Sequence, residues 1–284
     1  MTPASPEVPV LAGVGDLAGR FEAVICDVWG VVHDGCRAFP EALDGLTRLR
    51  AAGLPVALVS NTPRPHGPIL DQLAGLGVDP RYFDELVTAG DVARAALLEL
   101  SAGRRCYHIG PARDLPLFEG VAAIRVDSIA AADLIVCSGF ADEERETAED
   151  YRAYLAPAAA AGLPLYCANP DLGVFEGGKF LPCAGSIAKL YEEMGGAVRY
   201  FGKPYPEVYD WTLARLAAHR GKPLLRHRVL AIGDGLATDV AGARAQGMPV
   251  VLIASGLHRN ELAGTSNKLF AKARPDWICE RLRW

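Results

Sequence analysis

Residues 23–32 read AVICDVWGVV, a short apolar run broken by one carboxylate and one glycine. A run this short and this apolar predicts a strand buried on both faces, as in a parallel sheet, with Asp27 at its carboxyl end. The pattern repeats outward. PEALDGLTRLRAAG (40–53) sets Leu43, Leu46 and Leu49 on one helical face and stops at Gly53, and LPVALVSNT (54–62) is a second strand ending in Ser60, Asn61 and Thr62. A helix over 65–77 and an apolar segment at 83–90 follow. Strand and helix in alternation imply a parallel sheet with right-handed crossovers.

The middle of the chain keeps the alternation with other content. Strands are expected at 104–110, 132–140 and 163–171, a long helix around 143–161, and a hairpin over GVFEGGKFLPCAG (173–185). The acidic DEERETAED at 142–150 reads as complement to that helix's dipole. The last third resumes the pattern of the first, with a helix at 186–196, VRYFGKP (198–204), a helix at 206–219, HRVLAIGDG (227–235), a helix at 237–247, MPVVLIASG (248–256) and a terminal strand near 274–280. The fold class is therefore α/β: a Rossmann-like core built from 1–88 and 185–284, with an inserted α/β cap over 89–184.

The chain has 284 residues, 50% of them hydrophobic, with 29 basic and 34 acidic side chains giving a net charge of −5. That mild acidity argues against nucleic acid or anionic membrane as the main partner. No apolar run approaches the roughly 18 residues that cross a bilayer, and no secretory leader is evident. Seven scattered cysteines without a CxxC pair suggest free thiols in a reducing cytoplasm. Gly13, Gly15 and Ala18 spell G-x-G-x-x-A, but no strand precedes them, so they do not read as a dinucleotide fingerprint.

Four segments at strand ends carry the chemistry: CDVWG with Asp27, VSNTPRP with Ser60, Asn61 and Thr62, FGKPYPE with Lys203, and AIGDGLATD with Asp234 and Asp239. In an open parallel sheet, ligands bind beyond the carboxyl ends of the strands, so all four are expected at one edge. Paired carboxylates suit an oxygen-loving ion such as Mg²⁺, and an amine with hydroxyl and amide donors suits a phosphoryl group. A carboxylate facing that group can attack it to give an aspartyl-phosphate.

This order, D-x-x-G-V, S-N, G-K-P and G-D-x-x-x-x-D, is similar to the haloacid dehalogenase superfamily. The insert with ANPD (168–171) and the restart PCAGSIAKLYEE (182–193) resembles its class IIA phosphatases, which act on sugar phosphates, nucleotides, pyridoxal phosphate and nitrophenyl phosphate. The resemblance implies that Asp27 is nucleophile and Mg²⁺ ligand, joined by the Trp29 carbonyl, Asp234 and Asp239. It implies that Ser60 and Asn61 hold phosphate oxygens, with Gly30 and Thr62 beside them, and that Lys203 neutralises charge. Asn169 and Asp171 are candidate cap contributions to substrate binding, or else a turn that caps local backbone. Arg64 meets an anionic substrate tail, or is a solvated surface charge. Partners are a small phosphorylated metabolite, sugar-like or nucleotide-like, and a second copy through the cap; nucleic acid and membrane are excluded.

One position departs from the pattern. Where phosphatases of the superfamily carry a second Asp as general acid and base, this chain has Trp29, whose indole cannot shuttle a proton. Three readings stay open: a substitute acid such as His33 or Asp34, a substrate with a good leaving group, or a non-catalytic protein that senses a phosphorylated ligand. The metal-free dehalogenases carry an aromatic residue there too, but lack the acidic pair kept here as Asp234 and Asp239.

Overall fold

The computed structural model of the chain describes residues 8–100, 102–176, 179–257, 270 and 273–284, with Glu176 described by its backbone alone. The chain divides into two compact units: Met1–Val59, Leu73–Leu86 and Thr212–Trp284 form the first, and Ser60–Gln72 and Val87–Trp211 the second.

The strands are, in chain order, β1 (Val10–Leu11), β2 (Ala23–Asp27), β3 (Val56–Ser60), β4 (Glu85–Thr88), β5 (Arg105–Ile109), β6 (Ile124–Val126), β7 (Leu134–Cys137), β8 (Leu165–Cys167), β9 (Gly173–Glu176), β10 (Lys179–Pro182), β11 (Val198–Tyr200), β12 (Val229–Gly233), β13 (Val250–Ile253) and β14 (Trp277–Cys279). The helices are α1 (Pro40–Ala51), α2 (His66–Gly75), α3 (Ala89–Leu98), α4 (Arg152–Ala160), α5 (Ala184–Glu193), α6 (Pro206–Arg220) and α7 (Ala241–Ala245).

A seven-stranded sheet runs in the order β1-β14-β13-β12-β2-β3-β4. Every residue of β2, β12 and β13 is buried, as expected of parallel strands covered on both faces. The chain leaves β2 toward β3 and β4, then returns on the other side of β2 at β12. The carboxyl ends of β2 and β12 therefore flank a topological switch point, where ligands of such sheets bind. Parallel pairing of Ile232 with Cys26 leaves Gly233 and Asp27 side by side at that end. Helix α1 buries Ala42, Gly45, Leu46 and Leu49, and Gly53 ends it at φ +83°, a conformation that favours glycine.

The second unit holds a five-stranded sheet, β11-β8-β7-β5-β6, whose pairings are all parallel, and the antiparallel hairpin β9–β10. Its core gathers Ile135, Phe140, Leu155, Leu165, Ile187 and Tyr191. This sheet recruits β11, beyond the expected end of the insert at 184. The reason is local: β11 is a short, half-exposed edge strand, and nothing in Val-Arg-Tyr distinguishes one sheet from another. Lys203 therefore follows an edge strand of the five-stranded sheet, not of the seven-stranded one where all four motif segments were expected to meet.

Other differences are smaller. The helix expected around 143–161 begins late, with a 3₁₀ turn at Ala148–Tyr151 and then α4, because Thr147 and Asp150 form a reciprocal cap there. The acidic residues ahead of it close a turn instead: Asp142 Oδ1 accepts the Glu144 N–H, and Glu146 accepts the Asp142 N–H and the Tyr151 hydroxyl. Strands β1 and β6 are too short to leave a periodic signal. Residues 177 and 178 of the expected hairpin turn, and His258, lie outside the described residues. Gly13 and Gly15 serve packing: a methyl group on Gly13 would stand 2.2 Å from the Trp284 carbonyl oxygen. Among the described residues, no helix is long and apolar enough to cross a membrane.

Candidate functional site

In the first unit, Asp27 ends β2, Asp234 directly follows β12, and Asp239 lies on a π-turn over Leu236–Val240. Each is less than a tenth exposed, and one carboxylate oxygen from each lies within 4.8 Å of the others. Local geometry is built to allow this. Gly30 has φ +80°, and a methyl group there would stand 2.1 Å from Asp234 Oδ2. A methyl group on Gly256 would stand 2.0 Å from the same oxygen, which also accepts the Leu257 N–H at 2.7 Å. Asp239 Oδ2 accepts the Gly235 N–H at 3.0 Å, and a methyl group on Gly233 would reach 2.2 Å from Asp239 Cγ. Three buried carboxylates repel one another unless a cation lies among them. An all-oxygen donor set at the end of a parallel sheet fits Mg²⁺, a hard ion that prefers carboxylates and keeps some of its waters.

The loop after β2 turns back tightly. The Gly30 N–H donates to the His33 carbonyl at 2.8 Å, and the Trp29 and His33 rings meet edge to face at 5.2 Å. His33 is buried, and its Nδ1 accepts the Gly35 N–H at 2.9 Å, so the ring proton sits on Nε2. Burial pushes the His33 pKa down to about 4, against the opposing charge of Asp34, and the ring is neutral at pH 7. Desolvation is the largest single influence on Asp34 and opposes its ionisation. The N–H groups of Arg37 and Cys36 and the Arg37 guanidinium outweigh it and hold Asp34 below the usual carboxylate range.

The remaining expected residues belong to the second unit. Ser60 ends β3, and its Oγ accepts the Thr62 N–H at 3.2 Å. The Asn61 side chain is fully committed. Its Nδ2 donates to Asp171 Oδ1 at 2.8 Å and to the Lys203 carbonyl at 3.0 Å, while its Oδ1 accepts the Lys203 N–H at 2.7 Å. Through these bonds the amide ties the segments of Asp171 and Lys203 together. Gly202 makes the approach possible, because a methyl group there would stand 2.7 Å from Asn61 Oδ1. Asn169 accepts the Asp171 N–H at 3.0 Å, which closes a local turn in the Asn-Pro-Asp stretch. Lys203 is buried.

Arg64 is half-buried, and its Nη2 donates to Gln72 Oε1 at 2.7 Å. It is no freely solvated surface charge: burial lowers its pKa, with Asp114, Arg113 and Glu143 acting on it. These three, with His108 and Ser138, form a polar group that the sequence did not bring to notice. The signal was the one used elsewhere, small polar residues directly after an apolar strand, in CYHIGPARD and LIVCSGF.

Residues 24–122 match the family described as haloacid dehalogenase-like hydrolase, and residues 200–284 the one described as HAD-hydrolase-like. A crystal structure of a haloacid dehalogenase-like hydrolase from Brucella suis 1330 is 38% identical, covers 96% of this chain and all of its own, and superposes with a TM-score of 0.88. Ribonucleotide monophosphatase NagD of Escherichia coli is 27% identical over 90% of this chain and 94% of its own. A glycerol phosphate phosphatase from Mycobacterium tuberculosis, crystallised with calcium, is 25% identical over 92% of this chain and 74% of its own, with a TM-score of 0.69.

Proposed function

The chain belongs to the haloacid dehalogenase-like hydrolases, and from that membership we propose a Mg²⁺-dependent phosphatase that works through an aspartyl-phosphate on Asp27. The observation that carries this reading is the trio of buried carboxylates at the β2–β12 switch point. Relatives named as phosphatases of ribonucleotides and glycerol phosphate support a small phosphorylated metabolite as substrate.

In this mechanism Asp27, Asp234, Asp239 and the Trp29 carbonyl hold the ion. Bound Mg²⁺ offsets the negative charge that would otherwise repel an incoming phosphate. One Asp27 oxygen attacks phosphorus, and the bond from phosphorus to the leaving oxygen breaks. Water then attacks the aspartyl-phosphate, releasing inorganic phosphate and restoring the Asp27 carboxylate. By the order of the motifs alone, Ser60 is assigned to phosphoryl oxygens and Lys203 to balancing their charge.

Trp29 sets the limit of this chemistry. A positioned general acid is worth about 10²–10⁴-fold, and no carboxylic acid occupies that position. Substrates whose leaving group departs as a weak base, such as acyl or aryl phosphates, are favoured over alkyl phosphates. The same residue favours one rival, a protein that binds a phosphorylated metabolite without turning it over.

Phosphate release from a panel of metabolites, acyl phosphates included, separates the two. Turnover with Mg²⁺ that is lost both in EDTA and in Asp27→Asn supports the phosphatase. Ligand-dependent thermal stabilisation with no release above the Asp27→Asn background supports the sensor and rejects the hydrolase.

A further inference from the structure

An indole stands where the superfamily's phosphatases carry their acid, but the loop that holds it carries a second ring. Between β2 and α1 the chain doubles back, and isolated bridges pair Trp29 with His33 and His33 with Ala38. The His33 N–H donates to the Val28 carbonyl at 3.3 Å, and the His33 carbonyl accepts the Gly30 N–H at 2.8 Å. The second bond ties His33 to the carboxylate trio, because Gly30 lies so close to Asp234 that a methyl group there would stand 2.1 Å from Oδ2. The His33 ring meets the Trp29 ring edge to face at 5.2 Å. Both residues belong to the first unit, with Asp27, Asp234 and Asp239.

The two ring nitrogens of His33 are used differently. Nδ1 accepts the Gly35 N–H at 2.9 Å, so the neutral imidazole carries its proton on Nε2. His33 is 3% exposed, yet among the described residues no protein group accepts from Nε2. Nε2 is not fully enclosed, so an outside group can reach it. A donor held this deep is costly to leave unbonded, and nearly all such donors have a partner. Here it lies one turn of loop from a site whose departing oxygen has no acid to meet it.

We propose that the neutral His33 imidazole donates an Nε2–H hydrogen bond to the leaving oxygen of the phosphorylated substrate, without giving up the proton. The proposal rests on the phosphatase reading. As one Asp27 oxygen bonds to phosphorus, the bond from phosphorus to the leaving oxygen breaks, and its electron pair stays on that oxygen. The Nε2–H bond strengthens as this charge develops, and the departing group takes its proton from water. The Trp29 ring and the Gly35 N–H fix the imidazole beforehand, so the donor needs no reorganisation during the step.

Two variants separate the two ends of the ring. His33→Asn keeps an oxygen where Nδ1 accepts the Gly35 N–H but has no donor at the far position, and His33→Gln restores an N–H there. Turnover is measured on acetyl phosphate, p-nitrophenyl phosphate and glycerol phosphate, whose leaving groups run from good to poor. Loss of one preorganised donor lowers kcat by about 10²–10³-fold. His33→Asn should therefore lose about a hundredfold on glycerol phosphate and least on acetyl phosphate, and His33→Gln should recover part of the loss. An equal fall on all three substrates, the mark of a residue that only holds the loop, overturns the proposal. A second readout needs no turnover: ¹⁵N-histidine NMR of the whole wild-type chain with Mg²⁺ and orthovanadate, whose oxygens take the places of the phosphoryl and leaving oxygens. The Nε2–H proton of His33, identified by its loss in His33→Gln, should move downfield when vanadate is added, and an unmoved signal overturns the proposal. If the wild-type chain hydrolyses none of the three substrates, that counts against the phosphatase reading, while the NMR shift still decides whether His33 meets the bound oxyanion.

Discussion

Asn61 shows what a motif reveals at the scale of one residue and what it hides. Its place after an apolar strand marked it for a ligand, but the structure spends both ends of its amide on Asp171 and on the backbone of Lys203. Sequence spacing shows where a polar residue sits along the chain; it does not show how many partners the fold has already given it. Asp27, Asp234 and Asp239 were legible because a buried carboxylate at a strand end has few structural uses. The protein partners of Asn61 were not, because an amide satisfies protein and ligand equally well. Asn61→Ala would orphan the buried Lys203 N–H and free Asp171 from its tie. The expected cost is about 2–4 kcal/mol of stability, with Lys203 no longer held in place. Urea unfolding checks the first part, and a fall in kcat larger than any rise in KM checks the second. A variant with wild-type stability would return Asn61 to the role of a ligand contact.

At the scale of elements, the long, apolar or well-capped pieces were readable and the short ones were not. Strands β2, β12 and β13 announce themselves by unbroken burial, β3 by four buried residues before Ser60, and α1 by its leucine spacing and Gly53. The edge strand β11, with only three residues, carried no mark of its sheet. The pairing of β5 with β7 has a chemical consequence at its end, where His108 meets Ser138. Burial, aided by the Arg125 charge, pushes the His108 pKa from 6.5 to about 4. The unfolded chain thus takes up this proton at a higher pH than the folded one. The stability it represents is complete above pH 6.5 and is lost as the pH falls toward 4, on the order of 1–3 kcal/mol. His33 is depressed to the same value and adds to the slope. His108→Gln, which keeps a partner for Ser138, should remove roughly half of the acid destabilisation between these limits. Denaturant midpoints at pH 7, 6, 5 and 4 decide it: parallel curves for the wild type and the variant would mean that His108 ionises freely in the fold.

For the whole molecule, the alternation of strands and helices foretold a parallel-sheet α/β core with an α/β insert. The boundary between the units was harder to read, because the chain crosses it repeatedly, once between Val59 and Ser60 at the very end of a strand. No change in composition marks such a crossing. The carboxylate trio bears on the stability of the entire chain. Held together without a cation, three buried carboxylates store repulsion that the rest of the fold must overcome. A cation bound only by the folded state relieves it and adds about 2.7 kcal/mol at a hundredfold excess over its dissociation constant. For a chain of this size that amounts to several degrees in Tm. Mg²⁺ should therefore raise the wild-type Tm, and EDTA should reverse the rise. Asp234→Asn should show the opposite pattern. Its amide oxygen can still accept the Leu257 N–H, so in EDTA it should melt above the wild type, while Mg²⁺ should no longer shift it. If instead the variant melts below the wild type in EDTA and still responds to Mg²⁺, the trio is an ordinary hydrogen-bonded cluster and the metal binds elsewhere.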